Sequence, residues 1–268
     1  MKQTVEQLKE HYNLEVKLAN RLKNSTFEER KTLYKDVYNE LFSTIKHHPQ
    51  NLIKASKKEQ DAYVSPQISY INRFLNSNTV FVEIGPGDCA LSFRVSEFVK
   101  QVYAVDVSNE ITNSEKQPEN FKLILSDGVS IPIKESVDVI YSNQLIEHLH
   151  EDDVKFQLQN IYQTLKLGGK YVCITPSRLS GPHDVSQYFD TVAKGFHLKE
   201  YTFLELFKMF KTIGFNKVYG YWGAKNKFVK IPSHIIIPVE KVISWFPRRF
   251  RKNRVFASLL NIRIVGVK

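Results

Sequence analysis

The sequence predicts an α/β fold, a mostly parallel sheet covered by helices on both faces. Three observations predict it. Short, largely apolar runs at 80–84, 102–106 and 137–141 read as strands buried on both sides. Helix-type spacing and helix caps fall between these runs, the alternation that a parallel sheet requires. A length of 268 residues, with 42% hydrophobic and 25% charged residues, suits one large globular domain and excludes a disordered or disulfide-built chain.

The elements follow in order. Val5, Leu8, Tyr12 and Val16 have helical spacing within 1–24. Thr26 and Glu29 form a capping box, after which Tyr34, Tyr38, Leu41 and Ile45 line one face of a second helix that stops before Pro49. A third helix is expected to open at Ser65-Pro66, with proline at its first position, and to run to about residue 75. The strand at 80–84 leads into a short helix carrying Leu91, Val95 and Phe98. Strands follow at 102–106, 122–125 and 137–141. Asp152 or Asp153 is expected to cap a helix through Leu158, Ile161 and Leu165 that ends at Gly168-Gly169. A fifth strand spans 170–175. A second capping box, Thr202 with Glu205, opens a helix that closes at Gly214, and strands at 217–222 and 262–267 complete the count of seven. Residues 1–64 read as a helical cap, 65–268 as the main domain, and 224–261 as an insertion before the last strand.

Charge is distributed unevenly. The formal net charge is +10, and eleven of the 38 Lys and Arg but one of the 28 acids, Glu240, lie in 225–268. The other 27 of each sign cancel, so the basic character belongs to the last segment, where it would attract an anionic partner. No apolar run reaches the roughly 20 residues that span a bilayer, and the polar start shows no leader. Cys89 and Cys173 make no disulfide framework, so a cytoplasmic, reducing setting is expected.

The first strand runs into Gly85-Pro-Gly87-Asp-Cys89 and then a helix. Glycines there let backbone approach a ligand closely. Glu83 stands on the strand. Asp106 ends the second strand twenty-one residues after Gly85, where a carboxylate can hold ribose hydroxyls, and Asp127-Gly128 ends the third. Successive strand ends thus offer ligands to one nucleoside. Asp88 at the helix start would repel a pyrophosphate and tolerate a sulfonium cation, which favours a sulfonium cofactor over a dinucleotide.

With these residues in place, the chain resembles the class I S-adenosylmethionine-dependent methyltransferases over about 79–222 and the final strand. The resemblance rests on Val82-Glu-Ile-Gly-Pro-Gly87, Tyr103-Ala-Val-Asp106, Ser126-Asp-Gly128, Tyr141-Ser-Asn-Gln-Leu-Ile-Glu-His148 and Leu165-Lys-Leu-Gly-Gly-Lys170. Leu167 stands where the family often has proline, and Cys89 where it often has glycine. The resemblance implies a Rossmann-like, seven-stranded sheet whose last strand is antiparallel, with S-adenosyl-L-methionine as cofactor. It implies that Gly85 and Gly87 contact the methionine part, Asp106 the ribose, and Asp127 with Gly128 the adenine. Asn143 and Gln144 would then line the sulfonium and acceptor side.

The loop after the fifth strand, with His183, Asp184, Tyr188 and His197, is expected at the acceptor. His183 or His197 is a candidate general base and Asp184 a candidate to orient an imidazole, the alternative being a turn whose side chains satisfy backbone. Arg178 could hold an acidic group or brace the loop. Residues 147–153, rich in His and acids, read as an exposed helix start rather than a metal site. The insertion combines Ile235, Val239, Val242, Trp245 and Phe246 with Arg248-Arg-Phe-Arg-Lys252, which fits a substrate lid, a packed hairpin, or membrane contact through 232–254. The expected activity is methyl transfer to oxygen or nitrogen of a small, anionic or glycan- or lipid-linked acceptor, with nucleic acid ranked below. The alternatives are a nicotinamide-dependent oxidoreductase and an inactive cofactor-binding subunit that docks through its basic segment.

Overall fold

The computed structural model describes residues 3–48, 57–108, 117–134, 136–224 and 227–268. Two helices come first, α1 (Val5–Lys23) and α2 (Phe27–Thr44), each opened by a capping box, Thr4 with Gln7 and Thr26 with Glu29. Then follow α3 (Lys57–Ile71), β1 (Val80–Ile84), α4 (Ala90–Ser96), β2 (Gln101–Asp106), β3 (Phe121–Leu125) and β4 (Val137–Asn143). After these come α5 (Glu151–Thr164), β5 (Leu165–Thr175), α6 (Phe203–Ile213), β6 (Lys217–Ala224) and β7 (Lys227–Pro232). The chain ends with α7 (Ser233–Ser244), α8 (Arg248–Arg251), α9 (Arg254–Leu260) and β8 (Ile262–Val267).

One sheet of eight strands, in the order β3-β2-β1-β4-β5-β8-β6-β7, organises the molecule. β1 pairs in parallel with both β2 and β4, so the strand order reverses between β1 and β4. In open α/β sheets a crevice forms at that reversal, beyond the carboxyl ends of the strands. β1 shows why the sheet is covered twice. Val80, Val82 and Ile84 join one core cluster with α1, α2, α5 and α6, while Phe81 joins the other with α3 and α4. The period of two in a strand sends successive side chains to opposite faces.

The expected last strand is antiparallel, as β8 against both β5 and β6. The strand count is eight, not seven, because Lys227–Pro232 turns back antiparallel on β6 at the sheet edge. Its outer position leaves it mostly exposed and rich in lysine, so it carries little of the apolar signal of a buried strand. The insertion at 224–261 therefore starts with a strand and continues as α7, α8 and α9.

Other expectations shift. The third helix starts at Lys57 and ends at Ile71, with Pro66 inside it. Pro66 forfeits one bond to the carbonyl of Ala62, and burial of Val64, Gln67, Tyr70 and Ile71 on both sides of the proline holds the helix together. Residue 64, expected as a boundary, falls within this helix. In α1 the buried face carries His11, Glu15, Leu18, Ala19 and Leu22, and Val5 is 71% exposed. This helix docks partly through polar groups: Nε2 of His11 lies 2.7 Å from Oε1 of Glu15, and Oε2 of Glu15 accepts from the Phe196 N–H at 3.1 Å. Gly168-Gly169 lies within β5 and not at a helix end, since α5 stops at Thr164.

The cap of α5 is His150, whose Nδ1 accepts from the Asp152 N–H. Asp153 has a different task. It is fully buried and takes a two-pronged grip from Arg30 of α2, Nε to Oδ2 and Nη2 to Oδ1, both at 2.7 Å. Tyr34 donates to Oδ2 at 2.6 Å and accepts from the His150 N–H at 2.9 Å. The first two helices are thus bolted to the sheet domain by a satisfied buried ion pair. Removing one partner strands a buried charge, so Asp153→Ala is expected to cost about 3–5 kcal/mol in denaturant unfolding. The double variant Arg30→Met/Asp153→Leu is expected to recover most of that loss. A loss below about 1 kcal/mol in Asp153→Ala would show that the pair does not hold the cap.

Candidate active site

The turn after β1 builds the floor. Gly85 has φ +67° and Gly87 φ +59°, values that favour glycine. A Cβ on Gly85 would come within 3.0 Å of Cδ1 of Leu145, whereas a Cβ on Gly87 would meet no heavy atom within 4 Å. The second glycine therefore leaves open space over the backbone. The Gly85 N–H donates to the Val105 carbonyl, which ties this turn to the end of β2. There Asp106 accepts from the Val107 and Ser108 N–H groups at 2.7 and 3.2 Å, which fixes its carboxylate at the rim. Beyond β4, Gln144 takes φ +54°, a strained value for a residue with a side chain, and donates its N–H to the Ile174 carbonyl.

These strand ends enclose a cavity of about 470 Å³. Gly85, Gly87, Asp106, Ser126, Gly128, Gln144 and Leu145 line it from the sheet. Tyr34, Tyr38 and Phe42 of α2 form the facing wall, and His148 joins it after β4. Asp106 is the sole acid among the described lining residues, and none of them is Lys or Arg. A second, smaller cavity of about 40 Å³ shares Gly85 and is lined by Tyr63, Gln67, Glu83, Asp88 and Asn143. Asp88 is held there by Gln60 of α3, whose Nε2 donates at 2.8 Å, and Asn143 donates to the Tyr63 hydroxyl and to Gln67.

The structure thus brings Gly85, Gly87, Asp106, Gly128 and Gln144 onto one cavity, and Glu83 and Asn143 onto its neighbour. Asp127 lies outside both linings. Its carboxylate is spent on its own turn, accepting from the Val129 and Ser130 N–H groups and from the Ser126 and Ser130 hydroxyls. Burial opposes its charge, but these donors outweigh that and hold the carboxyl below its usual range.

His183, Asp184 and His197 line neither cavity. Asp184 caps a short turn and accepts from the Ser186 and Gly195 N–H groups rather than from an imidazole. His183 packs against Ser180 and the Ser177 carbonyl, and Nδ1 of His197 lies 2.8 Å from Glu200. Burial pushes His197 down to about 4, so it is neutral. Arg178 pairs with Glu205 at 3.1 Å and braces its loop. Physically, these polar groups serve the backbone of an irregular segment that has no ladder partners of its own.

The histidine that faces the large cavity is His148. Its Nδ1 lies 2.9 Å from the Phe196 carbonyl, an acceptor only, so Nδ1 carries the proton and Nε2 keeps a lone pair. Burial, with His197 beside it, lowers its pKa to about 3 and keeps the ring neutral. Tyr38 stacks on Phe196 and meets His148 edge-on. The sequence reading put Tyr34 and Tyr38 on one face of a helix in the helical cap, but missed Phe42 and His148. The wall's signal was the spacing of Tyr34, Tyr38 and Phe42, one aromatic per helical turn. Glu147, His148 and His197 also offer ligating atoms within 4.8 Å of one another, as do His11, Glu15 and His48.

The family model described as a methyltransferase domain matches residues 82–173. An uncharacterized methyltransferase of Bacillus mycoides is 29% identical over 93 residues, covering 34% of this chain and 44% of that protein. One from Bacillus anthracis matches with the same identity and coverage. The chain spans under half the length of these curated relatives. Among solved structures, a SAM-dependent methyltransferase from Archaeoglobus fulgidus superposes with a TM-score of 0.53 at 18% identity, covering 86% of this chain and 100% of the other. Phosphoethanolamine N-methyltransferase 1 of Haemonchus contortus, solved with phosphoethanolamine and S-adenosylhomocysteine, gives 0.57 at 16% identity, covering 90% and 50%. The likeness in structure is one of fold. Residues 82–173 match the methyltransferase-domain family, and the fold is the one found in SAM-dependent methyltransferases.

Two buried carboxyls act on stability against His148 and His197 as pH changes. Burial pushes Glu83 up to about 8, against a hydrogen bond from the Ser92 hydroxyl, and pushes Glu147 up to about 8, against one from Thr175. The folded protein then keeps two protons that the unfolded chain releases above about 4.5, which lowers stability up to about pH 8. His148 and His197, held neutral down to about 3 and 4 against 6.5 in the unfolded chain, offset this up to about 6.5, so the net fall comes between about pH 6.5 and 8. Denaturant titrations at a series of pH values are expected to show that fall. Glu147→Gln is expected to remove a slope of about 1.4 kcal/mol per pH unit. An unchanged slope in the variant would place the proton elsewhere.

Proposed function

We propose that the protein transfers the methyl group of S-adenosylmethionine to a hydroxyl or amine of a small acceptor seated against the aromatic wall of α2. One observation carries this reading: Gly85, Gly87, Asp106 and Gly128, from three successive strand ends, line the same cavity as His148, whose Nδ1 is already taken by the Phe196 carbonyl. The residues fit the cofactor. The cavity volume lies in the usual range for ligand sites, Gly87 leaves its backbone uncovered, and Asp106 is a fixed acceptor for ribose hydroxyls. Glu83, at the end of the neighbouring cavity, would hold the amino group of the methionine part, with Asp88 and Asn143 beside it.

When bound, the cofactor supplies an electrophilic methyl on a sulfonium. The chain then needs chiefly to orient the acceptor, because a good leaving group is already in place. Tyr38 and Phe42 hold the acceptor's flat or apolar part, and Nε2 of His148 accepts the hydrogen bond of its reacting hydroxyl. A ring with a pKa near 3 is a weak base. It suffices for an oxygen acceptor, whose proton becomes strongly acidic as the new carbon–oxygen bond forms. The proton passes along the O–H···N hydrogen bond to Nε2, and this proposal gives the base role to His148 in place of His183 or His197. With no Lys or Arg among the described lining residues, the reacting end of the acceptor is neutral.

Calorimetry with S-adenosylmethionine and turnover of a labelled methyl group with a panel of phenolic, glycan and amine acceptors test the reading. Asp106→Ala is expected to abolish cofactor binding. His148→Asn is expected to keep cofactor affinity and lose about 10²-fold in kcat. Binding without turnover of any acceptor would favour the inactive-subunit alternative, and binding of NAD instead would favour the oxidoreductase. An unchanged kcat in His148→Asn would remove that residue from the reaction.

A further inference from the structure

Helix α7 has two apolar stripes. Its inner stripe, Ile236 and Ile243, packs against the sheet domain, and Glu240 between them accepts from the Phe203 and Leu204 N–H groups at 2.7 and 3.1 Å. Its outer stripe has no counterpart among the described residues. Ile235 is 43% exposed, Val242 47% and Trp245 73%, and these positions share one helical face with the exposed Pro238. Phe246, Phe250 and Val255, also exposed, follow just past the end of the helix. Large apolar side chains left exposed along one helical face mark an interaction surface.

Charge identifies the occupant. Lys241, Arg249, Lys252 and Arg254 are exposed around this patch. The sole acid of 225–268, Glu240, is buried at the start of α6 and gives this surface no negative charge. Aromatic and aliphatic side chains beside a run of cations, on a helix of 12 residues that is too short to span a bilayer, suit the plane of an anionic membrane. The apolar groups enter the acyl boundary while the lysine and arginine heads stay among lipid phosphates. We propose that α7 and the 245–255 segment form a docking surface for an anionic lipid bilayer.

The surface also touches the loop that follows β5. Nε of Arg248 donates to the Gly181 carbonyl at 2.9 Å, which sets the patch beside the carboxyl edge of the sheet. Docking would therefore hold the catalytic edge near the membrane. The inference does not depend on the proposed acceptor.

Co-sedimentation of the full chain with vesicles of phosphatidylcholine alone, or of equal parts phosphatidylcholine and phosphatidylglycerol, tests it. Binding is expected to be at least tenfold tighter to the anionic vesicles, with a blue shift of tryptophan emission. Trp245→Phe should abolish the shift, since the other tryptophan, Trp222, packs against the core. Trp245→Ser/Phe246→Ser and, separately, Arg249→Gln/Lys252→Gln/Arg254→Gln should each weaken binding at least tenfold while leaving the thermal midpoint unchanged. Equal binding to both vesicle types, binding without the Trp245 shift, or no binding would overturn the proposal. Loss of vesicle binding in favour of dimers that Trp245→Ser/Phe246→Ser dissolves would assign the patch to a second copy. Salt-sensitive RNA binding that ignores the Trp245→Ser/Phe246→Ser change, with no vesicle binding, would assign it to nucleic acid.

Discussion

The grip of Arg30 on Asp153 is the contact on which the site's shape depends. It crosses from α2 to the start of α5, and both groups are buried, so it holds only because Tyr34 and the Ser25 carbonyl complete the hydrogen bonds. Fixing α2 there sets its aromatic stripe above the strand ends. Tyr34 reaches so close to Gly128 that a Cβ on that glycine would lie 3.3 Å from Cδ2 of the tyrosine. The sheet supplies half a crevice, and the helical cap supplies the other half. α1 reinforces the arrangement through Glu15, which takes the Phe196 N–H and so links the cap to the loop after β5. That loop in turn orients His148 through the Phe196 carbonyl.

What could be read in the sequence follows from how local each signal is. The strand runs, both internal capping boxes and the positive-φ Gly214 cap depend on a few neighbouring residues, and they appear as expected. That Gly85, Gly87 and Asp106 would share one rim was legible for the same reason, since they sit at fixed offsets from strand ends. Long-range pairings were not legible. Asp153 reads as a cap until Arg30, 123 residues away, is seen to hold it. His183 and Asp184 look catalytic beside each other in sequence, yet their atoms are directed to backbone groups of an irregular loop. Asp127 sits at the right strand end with its oxygens turned into its own loop. The hairpin strand β7 was hidden because an edge strand needs no buried face.

The electrostatic layout separates two tasks. Around the two cavities the described acids are Glu83, Asp88 and Asp106, which suits the sulfonium and amino group of the proposed cofactor. Burial keeps Glu83 protonated near neutral pH, so the site does not carry a bare buried charge there. The whole positive excess of the chain lies elsewhere, on the last 44 residues, outside the lining of the large cavity. Cofactor capture and surface docking can thus use opposite charges without cancelling each other.

A crystal structure of the full chain soaked with S-adenosylhomocysteine tests the central claim most directly. The account predicts the adenosine between Gly85, Gly87 and Gly128, its ribose on Asp106, and the sulfur turned toward Tyr38 and His148. Electron density for that compound at a different surface, or a cavity still closed to it at saturating concentration, would contradict the account.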